Sequence, residues 1–112
     1  MKYEFLAKSS GTDPYQVVFT LDDRKLRVTC NCKAGIFGKL CKHKLALLRG
    51  DADMLFQIDG ETNLKELLTI VPSTAYPELL EQIRRNEIAA DEAKRVLQRS
   101  KKALEKSMKE GA

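Results

Sequence analysis

The chain has 112 residues, 20 basic and 16 acidic side chains and a formal net charge of +4. That length allows one small domain with an extension, or two very small units. No stretch approaches the roughly 20 apolar residues of a membrane span, which excludes an integral helical membrane protein. The start, Met1-Lys2-Tyr3-Glu4-Phe5-Leu6, has no apolar core of the signal-peptide kind, so a cytoplasmic protein is expected.

Tyr3 to Ser9 reads as a first strand, with Tyr3, Phe5 and Ala7 on one face. Ser10-Gly11-Thr12-Asp13-Pro14 is a turn. Tyr15 to Leu21 is a stronger strand that puts Tyr15, Val17 and Phe19 on one side. Asp22-Asp23 is the predicted turn, and Arg24 to Thr29 returns antiparallel.

Beyond that strand come Cys30-Asn31-Cys32 and then Cys41-Lys42-His43. These hold all three cysteines and the only histidine of the chain, in the pattern C-x-C-x8-C-x-H. Three thiolates and an imidazole make a full tetrahedral set for one structural Zn2+. Side chains at i and i+2 of an extended chain share a face, so Cys30 and Cys32 can reach one ion. The same spacing on a helix separates side chains by roughly 200°, so Cys41 is placed just before a helix and His43 in its first turn. Leu45 to Leu48 continue that helix to a stop at Gly50. The Arg49-Gly50-Asp51 tripeptide is therefore a helix end rather than an adhesion motif. Gly35 and Gly38 let the intervening loop turn, and Ile36 or Phe37 is expected to shield the ion.

Other readings of the four residues are weaker. A Cys30–Cys32 disulfide is strained, and three cysteines leave one unpaired. A Cys–His nucleophilic pair lacks an orienting third group, and a catalytic zinc needs an open ligand position. An iron–sulfur cluster accepts three cysteines and one histidine, but at a different spacing. No enzyme activity and no small-molecule substrate are expected.

Asp53 to Ile58 is apolar and is expected to pack on the first module, followed by an Asp59-Gly60 turn. Asn63 with Glu66 fits a capping box, Leu64, Leu67, Leu68 and Val71 follow helical spacing, and Pro72 ends the element. Pro77 suits the first turn of a further helix, with Asn86 a candidate interruption before a longer helix from Ile88. A helical hairpin is the simplest arrangement; a partner-binding or self-associating helix is the alternative. The predicted fold class is α+β: a small antiparallel sheet plus helix, ββα-like, as a zinc module over residues 1–58, then a helical extension over 59–112.

The segment CNCKAGIFGKLCKHKLALLRGD, after paired strands and before a short apolar helix, resembles the SWIM-type zinc finger, bacterial members in particular. The likeness covers roughly residues 1 to 52. Asn31 stands where many members carry Ser or Pro. The resemblance implies a ββα zinc module, with Cys30, Cys32, Cys41 and His43 as ligands, associated with nucleic-acid binding and protein–protein contact.

Charge adds a separate signal. From Arg24 to Gly50 there is no Asp or Glu but eight bases: Arg24, Lys25, Arg27, Lys33, Lys39, Lys42, Lys44 and Arg49. One or two would offset the residual negative charge of a zinc held by three thiolates. The remainder is the footprint of a nucleic-acid surface, DNA first, with Arg27, Lys33, Lys39, Lys42 and Lys44 as candidate phosphate contacts. An acidic protein partner is the competing expectation. Phe37, between lysines, is the one aromatic placed to stack on a base if it does not cover the metal.

Overall fold

The computed structural model describes residues 1–111. Three strands, β1 (Lys2–Ala7), β2 (Tyr15–Asp22) and β3 (Lys25–Cys30), form an antiparallel sheet in the order β1-β2-β3. Three α-helices follow: α1 (Lys42–Leu48), α2 (Glu61–Ile70) and α3 (Tyr76–Glu110). The fold is α+β, with the predicted strand pair and helix at its centre.

Alternation produces the sheet. Along β1 every second residue, Tyr3, Phe5 and Ala7, is buried. These pair in register with Phe19, Val17 and Tyr15, so one face of the sheet carries the core and the other faces water. Phe5 and Phe19 meet edge to face, with centroids 5.6 Å apart. The hairpin turn lies one residue later than the sequence suggests. Asp22 pairs with Lys25, leaving Asp23 and Arg24 as the two loop residues, both at positive φ (48° and 69°). A two-residue hairpin needs that left-handed geometry to match strand twist, so register fixes the turn against the residues' own preference.

The segment after α1 packs only in part as expected. Leu55 is buried and bridges to Ala7, while Phe56 and Ile58 are exposed. Helix α2 begins at Glu61 rather than after Asn63, and Gly60 precedes it without a side-chain cap. The short 3-10 turn Ile58–Gly60 runs straight into the helix, which puts Asn63 inside it and removes the capping box. Glu66 instead accepts a 3.1 Å hydrogen bond from the Tyr3 hydroxyl on β1. Pro72 falls in a 3-10 turn, Val71–Ser73, just beyond α2, as its missing N–H requires.

Two compact units result, one spanning Met1–Pro77 and one starting at Glu78. The first takes in α2 as well as the sheet and α1. Tyr76 closes it, its hydroxyl donating to the Leu26 carbonyl on β3. The second is the body of α3. The expected hairpin is not formed: α3 is one continuous 35-residue helix that runs through Asn86. A single Asn costs a helix only a few tenths of a kcal/mol to ~0.7 kcal/mol, and the Arg, Glu and Ala around it are good helix formers. Among the described residues no helix is long and apolar enough to cross a membrane.

Candidate metal centre

Four side chains converge at the end of the β2–β3 hairpin. Cys30 is the last residue of β3, and Cys32 lies two residues on. Asn31 between them does more than span the gap. Its N–H donates to the Gln16 carbonyl, and its Oδ1 accepts from the Gln16 N–H at 2.8 Å. The side chain thus imitates a further rung of the ladder and carries the extended backbone past Cys30.

The chain then reverses under Gly35. Its N–H donates to Cys32 Sγ at 3.3 Å. A Cβ at this residue would stand 2.2 Å from the Cys30 carbonyl oxygen, so only glycine fits. Cys41 is the N-cap of α1, extended at φ −133° and ψ 162°, and its Sγ accepts from the Lys44 N–H at 3.4 Å. His43 is in the first turn, as the helical angle requires. Beyond Leu48, Gly50 takes φ +81°. Its N–H bonds the Leu47 carbonyl, and the Asp51 N–H bonds that of Ala46, the double bond of a Schellman end.

The ligand atoms of Cys30, Cys32, Cys41 and His43 all lie within 4.8 Å of one another, and all four residues are buried. His43 Nδ1 is 3.8 Å from Cys30 Sγ, which turns this nitrogen toward the sulfurs. A tetrahedral zinc with Zn–S near ~2.3 Å and Zn–N near ~2.0 Å has donor–donor edges of roughly 3.5–3.8 Å. The cluster has that scale. The imidazole lies against the Tyr15 ring, with centroids 4.9 Å apart.

Electrostatics also fit a cation. Burial, with the neighbouring sulfurs, pushes the Cys30 thiol up to about 12. Cys32 is drawn below its usual value: burial opposes this, but the Gly35 N–H, the two other thiols and the Ala34 N–H outweigh it. Three buried sulfurs cannot all ionise side by side without a compensating charge, which a divalent ion supplies. Burial and then the Lys42 charge lower the His43 pKa, against an opposing pull from the Lys8 backbone, which favours the neutral imidazole, the form that ligates. Its Nε2 is buried with no hydrogen-bond partner. The inward Nδ1 and the three clustered thiols are the donor set that a metal would complete, while Nε2 faces away from the sulfurs.

The loop between the ligand pairs does not cover the centre. Gly35–Phe37 is one 3-10 turn with Gly38 at φ +71° behind it. Ile36 is 69% exposed and Phe37 75% exposed, so the expected shield is absent. Shielding comes from the ring of Tyr15 and from the sheet. Of the candidate phosphate contacts, Lys33, Lys39 and Lys42 are exposed around the centre. Lys44 is half-buried, and its ammonium donates to the Lys39 carbonyl at 3.0 Å. Lys42 shares a groove with Asp51 and Asp53. Arg27 is exposed on β3, out of phase with Leu26 and Cys30, and so projects from the opposite face of the sheet. Lys33 and Lys42 border one shallow pocket with Cys32, Cys41 and His43, Lys39 lies beside Lys44, and Arg27 is on the other face of the sheet.

Three supporting residues were not singled out by the spacing of the ligands. Gly35 and Asn31 carry a local signal, since a glycine three residues after a ligand can aim an N–H at its sulfur. Tyr15 carries none, because its position against His43 depends on strand pairing and on how α1 packs.

Residues 15–49 match the family model of the SWIM zinc finger. No curated protein and no solved structure matches the chain. The matched segment contains β2, β3, the ligand loop and α1, with all four clustered donors. This chain therefore carries a segment, Tyr15 to Arg49, that matches the SWIM zinc finger and in which Cys30, Cys32, Cys41 and His43 cluster as a possible metal site.

Proposed function

We propose that the finger holds one structural zinc per chain and uses the basic surface around it to bind nucleic acid, DNA first, without reading base sequence. Four protein donors close the tetrahedron and leave no open position, which favours a binding module over an enzyme. The observation that carries the nucleic-acid reading is the outward ligand loop. Lys33 and Lys39 are exposed at its two ends, and no acidic residue occurs from Arg24 to Gly50. The candidate contacts are not equivalent in this reading. Lys44 is engaged with the loop backbone, Lys42 is partly offset by Asp51 and Asp53, and Arg27 belongs to the far side of the sheet. Lys33 and Lys39 lead, and Lys42 supports them. Contacts of this kind bind with Kd of roughly 10⁻⁴–10⁻⁶ M at physiological salt and weaken steeply as salt rises. A mobility shift with a DNA duplex and with a DNA single strand at low salt, before and after chelation, tests this. Absence of any shift at micromolar protein, or a shift indifferent to chelation, overturns it.

A second reading has its own support. Leu79, Ile88, Val96, Leu97, Leu104 and Met108 of α3 are exposed apolar side chains, which a solvated helix does not need. An adaptor would dock a protein partner on this helix. Leu97→Glu with Leu104→Glu should then abolish capture of that partner while zinc content stays unchanged; retention of the partner removes the adaptor reading.

A further inference from the structure

The tip of the ligand loop sharpens the nucleic-acid proposal and rests on it. Ile36 and Phe37, adjacent in sequence, and Leu40, just before Cys41, are 69%, 75% and 62% exposed. Their exposure is built in rather than a consequence of slack. The backbone beneath them is closed by Ile36 N–H to the Cys32 carbonyl, Phe37 and Lys39 N–H to that of Ala34, and Gly38 N–H to that of Gly35. The base of the loop is tied to a metal donor through the Gly35 N–H and Cys32 Sγ. Lys44 pins its far end by donating to the Lys39 carbonyl. An aromatic residue is thus carried exposed on a hydrogen-bonded turn, with Lys33 before it and Lys39 after it in sequence.

We infer that this tip selects single-stranded over duplex nucleic acid, with Phe37 as a stacking platform for an unpaired base and Lys33 and Lys39 on the flanking phosphates. In a duplex the base faces are already stacked, and a ring on a convex tip gains nothing from the backbone. In a single strand every base offers a face, and one base–aromatic stack is worth roughly 1–3 kcal/mol whatever the base. Ile36 and Leu40 widen the apolar floor on which that base rests. An anionic bilayer is the competing occupant of an apolar tip with lysines. The strand is favoured because the tip presents one aromatic and two aliphatic side chains, enough to cover a base but a shallow anchor for a membrane.

The experiment uses the full-length, zinc-loaded protein and fluorescence anisotropy with labelled oligothymidylate, a hairpin duplex of equal charge, and vesicles rich in phosphatidylserine. Phe37→Ala, on a side chain this exposed, leaves zinc content and thermal unfolding unchanged. It should weaken oligothymidylate binding about 5- to 150-fold, the range one lost stack gives, and leave duplex binding within twofold. Lys33→Gln with Lys39→Gln should lower the salt slope on the single strand by roughly 1.4, from two lost phosphate contacts. If neither oligonucleotide binds, the nucleic-acid reading itself is overturned. If both bind and Phe37→Ala weakens neither, or both equally, that reading survives and the stacking role falls. Vesicle binding that depends on Phe37, with no preference for the single strand, assigns the tip to membranes and overturns the inference.

Discussion

The residues from Met1 to Pro77 and the body of α3 solve the problem of stability in opposite ways. The first region is tied by contacts distant in sequence: Tyr3 to Glu66, Leu26 to Tyr76, Ala7 to Leu55 and four metal donors. In the second no described residue is buried, and ion pairs such as the Glu81 carboxylate with Arg84 at 2.6 Å and Arg85 at 3.4 Å span only one turn of the helix. Exposed helical pairs of this kind add only a few tenths of a kcal/mol each. A long helix can persist on local bonds because each further residue adds one bond for one residue fixed. A small sheet cannot, because its strands close loops before any pairing rewards them. The four candidate donors cluster where that cost falls, at the open end of the hairpin.

Removing the metal should therefore separate the two regions more sharply than any other change. Structural zinc sites contribute about 10–16 kcal/mol of apparent binding in small finger peptides. Chelation of the full chain should release the amides of Val17, Phe19 and Val28 to exchange while the helical signal of α3 persists. His43→Ala should do the same without chelator. Hydrogen exchange resolved by residue checks this, and unchanged protection of β2 and β3 after chelation breaks the contrast.

The two regions also differed in how much of them the sequence disclosed. Strand alternation at Tyr3, Phe5 and Ala7 and at Val17 and Phe19 is a period-2 signal, and burial follows it. The donors were legible because all cysteines and the only histidine lie together, and helix geometry alone placed Cys41 at an N-cap and His43 one step inside. What failed to show depended on competition between local and long-range preference. Asp22-Asp23 has the composition of a turn, yet the pairing of Asp22 with Lys25 moves the loop to Asp23-Arg24. Asn63 and Glu66 have the spacing of a cap, yet Tyr3 claims Glu66. Phe37 has the hydrophobicity of a lid, yet the 3-10 turn beneath it aims the ring outward. For α3 the difficulty was the reverse: from Arg84 to Gly111 every residue is exposed, so helix propensity alone carries the chain through Asn86.

A matched pair of leucines sharpens the comparison at a smaller scale. Leu67 in α2 is fully buried, whereas Leu97 in α3 is 53% exposed. Leu67→Ala should destabilise the zinc-loaded protein by about 2–5 kcal/mol, through lost burial and the cavity left behind. Leu97→Ala should change it by no more than about 0.5 kcal/mol. Denaturant titrations followed at Tyr3 or Tyr76 give both numbers. A cost at Leu97 equal to that at Leu67 would show that α3 is packed in solution, and the adaptor reading would then have its partner surface occupied already.

The smallest expected effect comes from two glycines doing the same backbone task in different surroundings. Gly50 ends α1 at φ +81° and Gly111 follows α3 at φ +89°, its N–H bonded to the Ser107 carbonyl at 2.8 Å. Alanine in the left-handed region costs roughly 1–2 kcal/mol at either place. At Gly50 the new methyl would also stand 2.7 Å from Leu68 Cδ1, a flexible tip that must move aside. At Gly111 it meets nothing within 4 Å among the described residues. The helix end there can fray and relieve the strain, whereas Gly50 is held between the metal-bearing helix and α2 and cannot. Gly50→Ala should therefore lower stability by about 2 kcal/mol and Gly111→Ala by less than about 0.3 kcal/mol, since fraying termini open at nearly no cost. Thermal unfolding of the zinc-loaded variants decides it. Equal losses at both glycines would mean that the end of α3 is as firmly held as the finger.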